Sequence, residues 1–269
     1  MSEFAVMGSP IAHSLSPRIH QAFGRLVGKE VSYESKEVRA GTLALALAAF
    51  VAAGGRGANI TVPLKTEAFS LADRLSERAR RAMAVNTVSW EDGLMVGDNT
   101  DGIGLIRDLL ANHGLCLRDR TVFLAGAGGA AQGIVGPLLD EGVARLVVFN
   151  RTPERASRLV ASLGDDRACV GGLDYEGESF DFVINATAAG LSGTLPSIPK
   201  SVFAGAVAYD LVYGARAEGF LSYARASGAK LVLDGLGMLV EQAAESFWVW
   251  HGVRPPTAPV LHALRAGPP

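Results

Sequence analysis

The sequence predicts an α/β fold in two parts, each a mainly parallel sheet flanked by helices. Three observations carry that prediction. Short apolar runs alternate with stretches whose apolar residues repeat at helical spacing, from Phe4 to Trp250. Glycine, 32 of 269 residues, recurs where strand-to-helix turns need it. Residues 121–149 read strand, glycine turn, helix, strand, a βαβ unit. A chain of 269 residues is long for one core and comfortable as two domains.

Composition narrows the function classes. A formal net charge of -2 leaves no electrostatic footprint for nucleic acid or an anionic membrane. Two cysteines, Cys116 and Cys169, imply no disulfide framework. No apolar run approaches the roughly 20 residues of a membrane span, and Met-Ser-Glu-Phe does not read as a leader, so a cytoplasmic location is expected. No His/Cys/Asp cluster has metal-ligand spacing, so no metal is expected.

In chain order, residues 4–8 read as a strand, followed by a Ser/Pro-rich loop. A helix then carries Ile19, Ala22, Phe23, Leu26 and Val27, with Ser16 before Pro17 as its expected N-cap. Ser14 and Ser16 suit either capping or a carboxylate ligand. Residues 31–38 read as a strand, 43–51 as a helix and 58–62 as a third strand. Asn59 and Thr61 share one face of it, and polar groups there need partners that a ligand's hydroxyls would supply. Lys65 opens the next helix at that strand's carboxyl end, where open α/β sheets place their sites, although most lysines are simply solvated. Residues 71–83 read as one basic helix, with Arg74, Arg78, Arg80 and Arg81 on a solvated face. Residues 85–88 and 94–96 pair across an Asp92-Gly93 hairpin turn. The polar turn at 97–102 opens a helix, with Asp98 or Thr100 as cap and Asp101 where the helix dipole favours an acid.

The strongest local signal lies in residues 121–155. After the strand at 121–125, Gly126, Gly128 and Ala131 fall at G-x-G-x-x-G/A spacing. Gly126 permits the tight turn, Gly128 lets the backbone approach a pyrophosphate, and Ala131 lets the helix sit close to the sheet. The free N–H groups of that helix start favour negative charge. With the second strand at 145–149, this is a dinucleotide-binding unit. An NAD site wants an acid at that strand's end; here stand Asn150, Arg151, Thr152 and Arg155. Guanidinium groups bind a 2′-phosphate as paired donors, so the cofactor expected is NADP. Thr152 and Pro153 also fit a plain helix start.

Beyond it, residues 180–184, 206–210 and 230–233 read as strands, 219–226 as a helix, and the last helix runs from 234–242 to about Trp250. Met238, Leu239, Phe247 and Trp250 are expected in the core. Gln242 is by default solvent-exposed.

Eight ordered motifs together resemble the shikimate dehydrogenase family over essentially the whole chain. They are Gly8-x-Pro10-Ile11-Ala12-His13-Ser14-x-Ser16-Pro17, Asn59-x-Thr61-x-Pro63-x-Lys65, Val85-Asn86-Thr87 and Gly97-Asp98-Asn99-Thr100-Asp101-Gly102, then Gly126-Ala127-Gly128-Gly129-Ala130, Asn150-Arg151-Thr152, Asn185-Ala186-Thr187 and Asp234-Gly235-x-x-Met238-Leu239-x-x-Gln242. The resemblance implies NADP-linked, reversible reduction of 3-dehydroshikimate to shikimate in aromatic amino-acid biosynthesis. It implies a substrate domain, residues 1–101 completed by C-terminal helices in 237–269, and a Rossmann-type NADP domain, residues 102–236, with a cleft between them. Lys65 and Asp101 are implied as the catalytic pair. Ser14 and Ser16 are implied for the substrate carboxylate, and Asn59, Thr61, Asn86, Tyr213 and Gln242 for the rest of the substrate or its surroundings. Gly126, Ala127, Gly128, Gly129, Ala130, Asn150, Arg151, Thr152, Arg155, Thr187, Leu211, Gly235 and Met238 are implied for the cofactor. Of the oligomers the family forms, a homodimer is expected.

The residue types suit that chemistry. Oxidising a secondary alcohol sends hydride to a nicotinamide and needs a base for the hydroxyl proton; the reverse needs an acid at the carbonyl. Lysine serves once burial and a neighbouring aspartate tune it as a coupled pair. His13 and His20 are expected as structural hydrogen-bonders. Two rivals stand beside this reading: a quinate/shikimate dehydrogenase using NAD, and a catalytically silent NADP-binding regulator.

Overall fold

The computed structural model describes residues 2–172, 178–187, 189, 195 and 197–267. The chain divides into two compact units, Met1–Gly104 with Leu239–Pro269, and Leu105–Met238.

The first unit holds a six-stranded mixed sheet. Strands β1 (Phe4–Gly8), β2 (Tyr33–Glu37) and β3 (Gly57–Ile60) are parallel, with β1 central. The short β4 (Arg74–Leu75) lies at the far edge, and β5 (Thr87–Glu91) and β6 (Leu94–Asp98) form an antiparallel hairpin, giving the order β2-β1-β3-β5-β6-β4. Asp92 and Gly93 close that hairpin with φ of 52° and 81°, the paired left-handed conformation that matches strand twist. Helices α1 (Ser16–Val27), α2 (Leu43–Ala52), α3 (Lys65–Leu71), α4 (Glu77–Ala82) and α5 (Asp101–Arg107) complete this part. Ala5, Met7, Ala58, Ile60 and Val88 form its buried centre with Leu43, Leu47 and Leu64.

Three expectations are corrected here. Residues 71–83 are not one basic helix. The Asp73 carboxylate takes the Met95 N–H at 2.8 Å, β4 follows, and Ser76 caps α4 by accepting the Ala79 N–H at 3.1 Å. Arg74, Arg80 and Arg81 are exposed, but Arg78 is drawn inward by Asp98 and Glu245. The third strand ends at Ile60, because Thr61 turns into Val62-Pro63 and proline has no N–H for a ladder. Ser16 is the first residue of α1 and makes no side-chain cap; its own N–H instead donates to the Ser14 hydroxyl at 3.3 Å.

The second unit is a parallel sheet in the order β12-β11-β10-β7-β8-β9. Its elements are β7 (Thr121–Ala125), α6 (Gly129–Asp140), β8 (Arg145–Phe149), α7 (Pro153–Leu163), β9 (Ala168–Val170), β10 (Phe182–Asn185), β11 (Val207–Asp210), α8 (Glu218–Ala226) and β12 (Leu231–Asp234). Numbered within the unit the order is 3-2-1-4-5-6, that of a doubly wound dinucleotide fold. Strand periodicity splits its core: Val122, Leu124, Leu146 and Val148 enter one apolar cluster, while Phe123, Ala125, Val147 and Phe149 enter another. Both sheet faces are thus covered, which is why these strands are apolar throughout. The three-residue β9 carries no legible sequence pattern.

After β12 the chain continues through α9 (Leu236–His251) and α10 (Ala258–Arg265), a further helix beyond the one expected to be last. Phe247 is fully buried, with Val240, Ala243 and Ala244, against Ile19 and Phe23. Among the described residues no helix is long and apolar enough to cross a membrane.

Candidate active site

The carboxyl end of β3 and the starts of α3 and α5 bring chemistry-bearing groups together in the first unit. Lys65, the first residue of α3, places Nζ 2.5 Å from Asp101 Oδ2, with both side chains largely withdrawn from water, 12% and 6% exposed. Asp101 starts α5, where the dipole favours its charge, and its N–H donates to Asn99 Oδ1 at 3.1 Å. The other Asp101 oxygen accepts the Asn86 side-chain amide at 2.8 Å. Each carboxylate oxygen therefore has a donor, one charged and one neutral. A buried ion pair needs that satisfaction to persist.

Asn86 is held from both ends. Its Oδ1 accepts the Thr100 N–H at 2.8 Å and the Thr87 hydroxyl at 2.9 Å, and its Nδ2 also lies 3.3 Å from Gln242 Oε1. Gln242 is buried rather than solvent-exposed, since α9 directs it at the same cluster. Asn59 is buried as well, but all of its polar atoms are taken by protein: Oδ1 by the Tyr33 hydroxyl at 2.8 Å, Nδ2 by Ser246, Thr87 and the Asn86 carbonyl. Thr61 lies half-buried just beyond β3, and its N–H donates to the Met7 carbonyl. Ser14 donates its hydroxyl to Ser16 Oγ at 3.1 Å. The loop they stand on is pinned by Glu37, whose carboxylate accepts the Ser9 hydroxyl and the Ile11 N–H.

A charged brace lies behind the 98–101 turn. Arg78 donates to both Asp98 oxygens, at 2.5 and 2.6 Å, and to Glu245 at 2.9 Å; Arg254 meets the other Glu245 oxygen at 2.7 Å. Burial raises the Asp98 carboxyl, but the Arg78 guanidinium, joined by the Ser76 hydroxyl and the Asn99 N–H, outweighs it and holds the group below its ordinary value. His20 departs from its expected role: it is fully buried, stacked on Tyr33 at 4.3 Å and 8°, and neither ring nitrogen meets a well-placed hydrogen-bond partner. Burial, helped by His251, lowers it to about 3, so it is neutral. His13 is exposed.

Tyr213 belongs to the second unit, half-buried on the loop after β11. In that unit the residues expected at the cofactor lie at the strands' carboxyl ends. Gly126 has φ 114°, and a Cβ there would meet the Ala186 carbonyl at 2.9 Å, so only glycine fits. Gly128 is exposed with open space where a Cβ would stand, and it leads into α6 beside Gly129 and Ala130; Ala127 turns into the core. Asn150 donates to the Thr152 carbonyl at 2.8 Å. Thr152 occupies the cap position of α7 without a side-chain bond. Arg151 and Arg155 are exposed and form no ion pair with any described residue. Thr187 bonds Asn185 Oδ1 through both N–H and hydroxyl. Asn185 in turn donates to Asp210, linking the loops after β10 and β11. Ala188 and Gly190 of that first loop lie outside the described residues. The Gly235 N–H donates to the Val212 carbonyl, behind Leu211, and Met238 is packed in the core.

Sequence reading misses Tyr33, Arg78, Glu245 and Ser246. A signal exists for two of them: Glu241-Gln242 and Glu245-Ser246 are polar pairs four apart on a largely apolar helix.

A doubly wound unit with a glycine turn, joined in one chain to a second α/β unit carrying a buried Lys–Asp pair, has the make-up of a two-domain dehydrogenase. Family comparisons specify it. The shikimate dehydrogenase substrate binding domain matches residues 6–88, shikimate / quinate 5-dehydrogenase matches 109–192, and the shikimate 5′-dehydrogenase C-terminal domain matches 235–265. A shikimate dehydrogenase (NADP(+)) of Alkalilimnicola ehrlichii is 51% identical over 264 residues, 97% of this chain and 98% of that one. Shikimate 5-dehydrogenase of Thermus thermophilus, solved with NADP(H) and shikimate, superposes with a TM-score of 0.85 at 35% identity, covering 99% of each chain. An Ael1 enzyme from Pseudomonas putida superposes at 0.91 with 44% identity, covering 98% of each. The chain belongs to the shikimate dehydrogenase family.

Proposed function

We propose that the protein catalyses the reversible, NADP-dependent reduction of 3-dehydroshikimate to shikimate, with the first unit binding substrate and the second binding cofactor. The observation that carries this reading is the buried contact of Lys65 Nζ with Asp101 Oδ2, in a chain about half identical to enzymes of that name. Reduction places a hydride on the carbonyl carbon and a proton on its oxygen. Lys65 supplies that proton and takes it back in the oxidation, while Asp101 orients the lysine and the hydroxyl. The paired hydroxyls of Ser14 and Ser16 suit a carboxylate, and Thr61, Asn86, Gln242 and Tyr213 suit the hydroxyls of a small polyol ring.

The second unit fits NADP on its own geometry. Gly126 and Gly128 leave room for a pyrophosphate against the start of α6, and no carboxylate stands at position 150 to repel a 2′-phosphate. Arg151 and Arg155, exposed and without carboxylate partners among the described residues, suit that phosphate. The bound nicotinamide supplies the hydride. A homodimer and a cytoplasmic location are part of the same proposal, and the chain's balanced charge disfavours a nucleic-acid partner.

The deciding measurement is NADP reduction with shikimate, run beside NAD and beside quinate. Turnover with shikimate and NADP far above the other combinations is the expected result. Binding of NADP without turnover of any of these substrates would overturn it in favour of a silent regulator.

A further inference from the structure

Behind the Lys65–Asp101 pair the first unit holds a continuous buried relay of neutral polar groups. The Tyr33 hydroxyl donates to Asn59 Oδ1 at 2.8 Å, and Asn59 Nδ2 reaches Ser246 Oγ at 2.9 Å and Thr87 Oγ1 at 3.1 Å. Ser246 and Thr87 are 2.8 Å apart, and the Thr87 hydroxyl donates to Asn86 Oδ1 at 2.9 Å. Asn86 then donates to Asp101 Oδ1 at 2.8 Å. Thr87 and Ser246 are fully buried, and Tyr33 and Asn59 nearly so.

Two main-chain groups fix the orientation of both side-chain amides. The Asn86 carbonyl can only accept, so the Asn59 amide nitrogen must face it, at 3.3 Å, and Asn59 Oδ1 must face Tyr33. The Thr100 N–H can only donate, so Asn86 Oδ1 must face it and the Asn86 NH2 must face Asp101. Between these anchors the hydroxyl of Thr87 has one proton. That proton goes to Asn86 Oδ1, which leaves Thr87 Oγ1 an acceptor. Ser246 receives from Asn59 at 2.9 Å and supplies the proton of its 2.8 Å contact with Thr87. Donors therefore run one way, from the Tyr33 phenol to the carboxylate that holds Lys65, and neighbouring bonds in such a chain polarise one another.

We propose that Tyr33, Asn59, Thr87 and Ser246 are positioning residues, which lock the Asn86 amide as a donor to Asp101 and so hold the Lys65–Asp101 pair in its reactive geometry. Asn59 thereby acts through Asn86 and not by touching substrate, since its own hydrogen-bonding capacity is already spent inside the protein. The proposal rests on Lys65 and Asp101 being the proton-handling pair.

Two substitutions remove one oxygen each and keep the shape: Thr87→Val and Tyr33→Phe. Each is compared with the parent enzyme and with Thr87→Ser, which restores the hydroxyl. The expected result is a kcat about tenfold lower for Thr87→Val and several-fold lower for Tyr33→Phe. KM for NADP is unchanged, and Thr87→Ser is within about twofold of the parent. Hydrogen exchange of the Asn86 side-chain amide, followed by NMR without substrate, should quicken in both oxygen-deleted variants. A kcat within twofold of the parent for both, with Asn86 exchange unmoved, overturns the relay. A variant that loses thermal stability but keeps kcat well below its melting temperature also overturns it, because only packing is then at stake. Absence of turnover in the parent would defeat the functional reading instead, while the exchange measurement would still test the relay.

Discussion

In the unit of residues 1–104 and 239–269, the functional side chains stand in a closed net of amides, hydroxyls and charges, almost every atom with a named partner. In the unit of residues 105–238 the corresponding positions lie at the ends of apolar strands, with main-chain N–H groups, small residues and exposed guanidiniums. On the proposed function, the difference follows from what each has to hold. Proton transfer needs a few atoms fixed in a dry place, and the first unit buries the Lys65–Asp101 pair with a donor on each carboxylate oxygen. A dinucleotide needs room and many moderate contacts along its length, so the second unit supplies backbone and open space.

Breaking the first net should have the largest effect. Lys65→Ala and Asp101→Asn should each lower kcat by roughly 10² to 10⁴, the range for positioned acid–base groups, in steady-state assays with shikimate and NADP. Losses below tenfold in both would remove the pair from the chemistry. Exposed groups of the second unit should act on binding alone. Arg151→Ala and Arg155→Ala should each raise KM for NADPH by about tenfold or more, the worth of a charge-assisted hydrogen bond, and leave KM for NADH unchanged. Equal effects on both cofactors would place the arginines elsewhere than the 2′-phosphate.

The smallest effect on turnover, and the sharpest contrast, lies in the pH dependence of stability. Burial raises Asp210 from 3.8 to about 7, against the Val212 and Asn185 donors, so the folded second unit holds a proton that the unfolded chain releases. Its stabilisation is full below 3.8 and is lost as pH rises through about 7. His20 in the first unit is lowered by burial from 6.5 to about 3, so its contribution is present above 6.5 and lost as pH falls towards 3. Melting temperatures of Asp210→Asn and His20→Phe against pH should each flatten one of these opposite slopes. If neither variant changes its slope, other groups set the acid and neutral limits.

The second unit is the more legible in sequence. Its strands are apolar throughout and its turn needs Gly126, so pattern and backbone chemistry point to the same structure. The first unit can be read correctly only where local rules decide, as at Asp92-Gly93. The meeting of Lys65 with Asp101 depends on β3, α3 and α5 converging, which no spacing encodes; family resemblance supplies it. Arg78 reads as solvated because an arginine on a short basic stretch usually is, whereas its two carboxylate partners come from β6 and α9, one of them 167 positions away.

The interrupted path of the first unit has a consequence for how the protein is made. Gln242, Glu245, Ser246 and Arg254 leave the ribosome more than a hundred residues after the sheet they complete. The nascent first segment therefore waits with Asn59, Thr87 and Arg78 short of partners, while the contiguous segment behind it has everything it needs to fold as it emerges. Chaperone demand during synthesis should concentrate on that waiting sheet.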